Sequence, residues 1–150
     1  MPQSLAKVYL HLIFSTKHRE RVLTDAVRSD LHSYMGGILN QLGCAPIEIN
    51  SEPDHVHLFF LQSRTETISN VVGQVKKSSN DWLRVRGDEY AEFFWQGGYG
   101  VFSVSQSAVE EVREYIRNQR EHHSKLSFQD EYRAFLRRYQ VECDERYVWE

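Results

Sequence analysis

The strongest constraint on the fold is the order in which two hydrophobic periodicities alternate along the chain. Residues 7–15 alternate, with β-branched and aromatic members, and predict a strand. Thr24 is placed to cap a helix through Leu31, Tyr34, Ile38 and Leu42, spaced by threes and fours and ended by Gly43. Residues 45–50 predict a second strand, 51–54 a turn and 55–62 a third strand, so the pair forms a hairpin. Ser63 with Glu66 has the form of a capping box, opening a helix through Ile68, Val71, Val72 and Val75 to Trp82. Residues 100–105 predict the fourth strand. Ser107 with Glu110 repeats the capping pattern before a helix carrying Val109, Val112 and Ile116, and Ser127 starts a last helix through Tyr132, Phe135 and Leu136. The order β-α-β-β-α-β followed by two helices predicts an α+β, ferredoxin-like (split βαβ) fold. Its antiparallel sheet carries helices on one face, with two further C-terminal helices. That fold hosts many activities and by itself names none.

A length of 150 residues suits one domain of roughly 100–200 residues, and no repeat or Gly/Ser/Pro-rich linker divides it. Residues 1–150 are therefore expected to form a single domain. The longest apolar run, Leu58 to Leu61, is far short of the ~20 residues of a membrane-spanning helix. No basic stretch leads into an apolar segment at the start, and Cys44 and Cys143 are too few for a cysteine metal site. A cytoplasmic protein without a membrane association is the expectation.

His55 and His57 lie two apart in an extended segment, so both side chains leave the same sheet face, while Val56, Leu58 and Phe60 leave the other. Two imidazoles one strand-step apart can present neutral nitrogens to one divalent metal. The plainer alternative is a polar pair on the solvent side of a half-buried strand. A metal also needs a third donor. Candidates are Asp54, Glu48, His122 with His123, and polar residues on the helix that starts near Ala108.

On that helix Tyr115 and Gln119 are four residues apart, one above the other. They flank the Val109–Val112–Ile116 stripe, about 90° and about 50° from its centre. Alone, they read as a boundary aromatic and a solvated amide. Combined with the histidines they suggest more. A tyrosine hydroxyl can attack a phosphodiester and keep the bond energy in a phosphotyrosine link. With an ordinary pKa of ~10 it needs help at neutral pH, which a divalent ion supplies.

Taken together, the chain resembles the single-tyrosine HUH transposases of bacterial insertion sequences over nearly its whole length. The matching strings are His11-Leu-Ile-Phe-Ser-Thr-Lys17-His-Arg19, Pro53-Asp-His55-Val-His57-Leu, and Trp95-Gln-Gly-Gly-Tyr-Gly-Val-Phe-Ser-Val-Ser105. Tyr115-Ile-Arg-Asn-Gln119-Arg-Glu-His-His123 and Ser127-Phe-Gln-Asp-Glu131-Tyr complete them. The resemblance implies His55 and His57 as metal ligands, Gln119 as the third, and Tyr115 as the nucleophile that becomes joined to a 5′-phosphate. It implies Mg²⁺ or Mn²⁺ as cofactor and single-stranded DNA with hairpin ends as substrate. It also implies a homodimer in which one subunit's tyrosine helix can complete the other's metal site. Tyr90, Tyr99, Tyr132 and Tyr139 lack a polar ligand type four residues on and are set aside.

A net charge of −3 argues against a nucleic-acid partner, yet residues 64–86 and 113–138 each carry +3, offset by acid in the tail. Lys17, Arg19, Lys76 and Lys77 are the candidate phosphate contacts. Of Trp82, Phe93, Phe94 and Trp95, most belong to a core, and any exposed one can stack on a base. Two rival functions fit parts of the pattern. A domesticated relative that grips a hairpin without cutting keeps the fold, and a hydrolase using water leaves Tyr115 dispensable.

Overall fold

The computed structural model describes residues 2–123 and 125–150, with the backbone alone at 122 and 123. Four strands, β1 (Tyr9–Ser15), β2 (Ala45–Glu52), β3 (His55–Leu61) and β4 (Gly100–Val104), form one sheet in the order β2-β3-β1-β4. Every neighbouring pair is antiparallel. Helices α1 (Asp25–Gln41) and α2 (Ile68–Arg84) make the two split-βαβ connections. Then follow α3 (Val109–Arg117), α4 (Gln119–His123) and α5 (Phe128–Arg138). The ferredoxin-like arrangement expected from the periodicities is present.

Strand alternation sorts the side chains into two interiors. Leu10, Leu12 and Phe14 of β1 join Val56, Leu58 and Phe60 of β3, and pack with Leu31, Met35 and Leu39 of α1 and Val71 and Val75 of α2. The opposite face carries Ile13, Phe59, Phe102 and Val104, covered by Ile116 of α3 and by Phe128, Tyr132 and Leu136 of α5. An antiparallel sheet can leave one face to water, but here the C-terminal helices close it. That burial makes polar residues on this face, the histidines included, interior groups.

Several local expectations shift. Gln62 still bonds β1's flank (its N–H to Val8 O, 2.8 Å), so residues 63–66 are spent on turning. Thr67, not Ser63, therefore caps α2, accepting Asn70 N–H at 3.0 Å, and Ser63 Oγ accepts Thr65 N–H instead. Before α3 a 3-10 turn (Gln106–Ala108) takes the place of a capping box, and Ser107 Oγ bonds Ser105 Oγ at 3.0 Å. Ser127 caps α5 as expected, accepting Asp130 N–H at 3.2 Å. The tyrosine helix is not continuous, because Asn118 (φ −97°, ψ 26°) separates α3 from α4.

Helix α5 sits tightly on β4. An added Cβ on Gly100 would fall 2.5 Å from Tyr132 Cε2, so only glycine admits the helix at this distance. The chain end then folds back, with Trp149 beside Tyr132 (ring centroids 5.8 Å apart) and Glu150 O accepting Gly98 N–H at 2.9 Å.

Candidate active site

The centre of the covered face is a histidine pair held from behind. His55 and His57 are fully buried. His55 Nδ1 bonds Asp54 Oδ1 at 2.7 Å, and His57 Nδ1 bonds His11 Nε2 at 2.8 Å. Each ring therefore uses one nitrogen for orientation. The other nitrogens converge on one carboxylate, with Glu131 Oε1 3.0 Å from His57 Nε2 and 3.6 Å from His55 Nε2. One ligand atom from each of His55, His57 and Glu131 falls within 4.8 Å of the others. Two imidazoles and a carboxylate, each imidazole fixed through its far nitrogen, form a donor set suited to a divalent ion. Burial first, then the neighbouring His57, holds His11 well below its ordinary pKa, against the pull of Glu131. Asp54 lies below the usual carboxylate range. Its burial acts the other way, but the His55 bond and nearby Arg21 outweigh it.

Tyr115 meets this cluster directly. Its hydroxyl donates to Glu131 Oε2, the second oxygen of the carboxylate that faces the histidines. Its ring lies 6.2 Å from that of His57 and edge-on to Phe135 at 5.9 Å. Burial, the charge of Glu131 and the hydrogen bond to it push the phenol far above its ordinary pKa, and a Gln119 hydrogen bond opposes them. The hydroxyl is thus a neutral donor in this state. Gln119 is buried, and its Nε2 also donates to Tyr115 O at 3.3 Å. Tyr115 is half-buried at the boundary, but its hydroxyl meets Glu131 instead of water, and Gln119 is not the solvated amide that periodicity alone suggested. All four residues named from the sequence come together, and they are joined by Glu131 and His11, to which sequence reasoning gave no role. The side chains of His122 and His123 lie outside the described residues. Asp54 stands behind His55, while Glu48 pairs with Arg113 (3.5 Å) and Arg117 (3.3 Å) instead.

The candidate DNA contacts divide. Lys17 is exposed, its Nζ 5.4 Å from the ring centre of Phe94, which is half exposed. Arg19 lies over Trp149 at 5.8 Å, and Lys77 is exposed. Lys76 instead ties down a loop. Its Nζ donates to the carbonyls of Gln96 (2.6 Å), Gly97 (3.3 Å) and Gly98 (2.9 Å), and burial lowers its pKa to about 8. Phe93 and Trp95 are core.

A ferredoxin-like sheet bearing a buried His-x-His pair with a tyrosine hydroxyl at its rim defines the single-tyrosine HUH transposases of bacterial insertion sequences. The family model for IS200-like transposases matches residues 4–119, and the chain belongs to that family. The ISDra2 transposase TnpA of Deinococcus radiodurans is 29% identical over 114 residues, 73% of this chain and 81% of that protein. A crystal structure described as a candidate transposase of Deinococcus radiodurans R1 superposes with a TM-score of 0.62 at 27% identity. It covers 79% of this chain and 98% of its own. A REP-associated tyrosine transposase bound to a REP hairpin shares the fold, with a TM-score of 0.60 at 12% identity over 82% of this chain and 73% of its own. The protein is a transposase, a DNA-processing enzyme. Among the described residues no helix is long and apolar enough to cross a membrane.

Proposed function

We propose that residues 1–150 act as one HUH domain that cleaves and rejoins single-stranded DNA at hairpin-marked element ends. The route is a covalent 5′-phosphotyrosine on Tyr115. The observation that carries this is the hydrogen bond from the Tyr115 hydroxyl to Glu131, the carboxylate that closes the histidine pair. His55, His57 and Glu131 would hold a divalent ion, and Gln119, the third ligand by family resemblance, stands beside the same hydroxyl. The mixed nitrogen and oxygen donors favour Mn²⁺ over Mg²⁺. When bound, such an ion draws charge from a phosphate oxygen and offsets the carboxylate.

In cleavage the Tyr115 Oη–P bond forms as the P–O3′ bond breaks, and the phenolic proton passes along the existing hydrogen bond to Glu131. Gln119 helps hold the phenol through its side-chain hydrogen bond to the hydroxyl. The hairpin in the REP-associated relative supports hairpin DNA as substrate, and the family resemblance is the ground for a homodimer as the working form.

Incubation with Mn²⁺ and a labelled single strand from the DNA flanking the gene tests this. A covalent adduct on a denaturing gel, lost in Tyr115→Phe while binding persists, is the expected result. Cleavage surviving that substitution transfers the reaction to water and overturns the tyrosine route.

A further inference from the structure

At the other end of the histidine pair from Tyr115 lies a cleft that the chemistry above does not use. Glu52 ends β2 directly opposite His55 in the ladder, so their side chains share a face. It is only 7% exposed, and its Oε1 is buried without a hydrogen-bond partner among the described residues. A buried carboxylate oxygen left unpaired is costly, and such a group marks a place where a donor is due. Glu52 lines a cleft of about 370 Å³ with Asp54, Arg21, Arg120 and the first turn of α5 at Ser127 and Phe128.

The lining decides the chemistry of the occupant. Asp54 Oδ1 is already engaged by His55, and Arg120 Nη2 by Asp25 at 2.7 Å. Exposed Arg21 and the remaining donors of Arg120 stay available for an anion. Two guanidinium groups oppose a second metal ion beside the acids. A ligand that presents an anion to the arginines and a hydroxyl donor to Glu52 satisfies both. A sugar hydroxyl next to a phosphodiester has that form, and the cleft is within the volume range of small-ligand sites.

Position gives the same answer. Tyr115 packs against His57, whereas Glu52 faces His55. Phosphoryl transfer sets attacking and departing oxygens roughly in line across phosphorus, so an attack from the His57 end sends O3′ toward the His55 end. We propose that the Glu52–Arg21–Arg120 cleft holds the 3′-hydroxyl end of the cleaved strand, with Glu52 accepting its hydrogen bond and the arginines taking its adjacent phosphate. This rests on Tyr115 as nucleophile. It keeps the released end beside the phosphotyrosine until rejoining re-forms the O3′–P bond and breaks the Tyr115 Oη–P bond.

The test uses the full chain carrying Tyr115→Phe, in EDTA, with 5′-fluorescein ten-nucleotide thymidine strands ending in 3′-hydroxyl or 3′-hydrogen. The hydroxyl end is expected to bind about tenfold tighter, as a hydrogen bond to a charged group provides. Adding Glu52→Ala removes the preference, and Glu52→Gln, which keeps the side-chain shape, reduces it. Thermal melts confirm that each variant is folded. Arg21→Ala weakens both ends alike. Equal affinity for the two ends, or no measurable binding of either, overturns the proposal. Adduct formation by the unsubstituted protein with Mn²⁺ is scored separately. An adduct without end preference removes the cleft alone, whereas absence of any adduct removes the nucleophile assignment beneath it.

Discussion

His57 is held at both ring nitrogens, by His11 on one side and Glu131 on the other, and that double hold decides what it can donate. Partners of this kind, standing behind a metal-binding imidazole, set its tautomer and direction, and losing one typically costs about 10–100-fold in metal affinity. His11→Ala is expected to weaken Mn²⁺ binding by that factor in titration calorimetry, with the fold intact by circular dichroism. Unchanged affinity means that His11 merely fills space. At this scale the sequence was partly readable. The two-residue spacing of His55 and His57 put them on one face, because strand geometry is local. His11 and Glu131 stood within the family-like strings without a role. Glu131 lies 74 residues from His57, and nothing near it in sequence says which way α5 turns.

The elements that carry these groups were legible in type and order, less so at their ends. Capping by Thr67 instead of Ser63 depended on how far β3 stays paired with β1's flank, a fact about another strand. The break at Asn118 likewise escaped a spacing argument that assumed one continuous helix. Helix α5 matters most, since its seat on β4 aims Glu131. Phe128, Tyr132 and Leu136 each contribute about 1.5–3 kcal/mol by burial, and the missing Cβ of Gly100 lets Tyr132 approach. Gly100→Ala forces the ring away. It is expected to cost about 1–3 kcal/mol in denaturant unfolding and to lower adduct formation by more than the fall in folded fraction explains. Wild-type adduct yield in this variant would show that α5 tolerates the shift without moving Glu131.

For the whole molecule, the question is which chain supplies the tyrosine. Family resemblance admitted a site shared between subunits, but here Tyr115 reaches Glu131, and through it His57, inside one chain. Mixing Tyr115→Phe with His57→Ala protein is therefore expected to yield no adduct on a denaturing gel, and recovered adduct demonstrates exchange between subunits. The net charge of −3 misled at this scale, because a sum discards position. Within residues 113–138, several of the basic groups are paired in the fold, Arg113 and Arg117 with Glu48 and Arg133 with Glu145. The sequence by itself determined the order of strands and helices, the common face of His55 and His57 and the candidacy of Tyr115 and Gln119, since periods of 2 and 3.6 residues are properties of short stretches. Only the tertiary structure decided that this face is dry, that Glu131 closes the pair, that Lys76 serves the backbone, and that Glu52 is buried beside His55. Burial and proximity are sums over contacts between residues far apart in the chain, and no local pattern contains them.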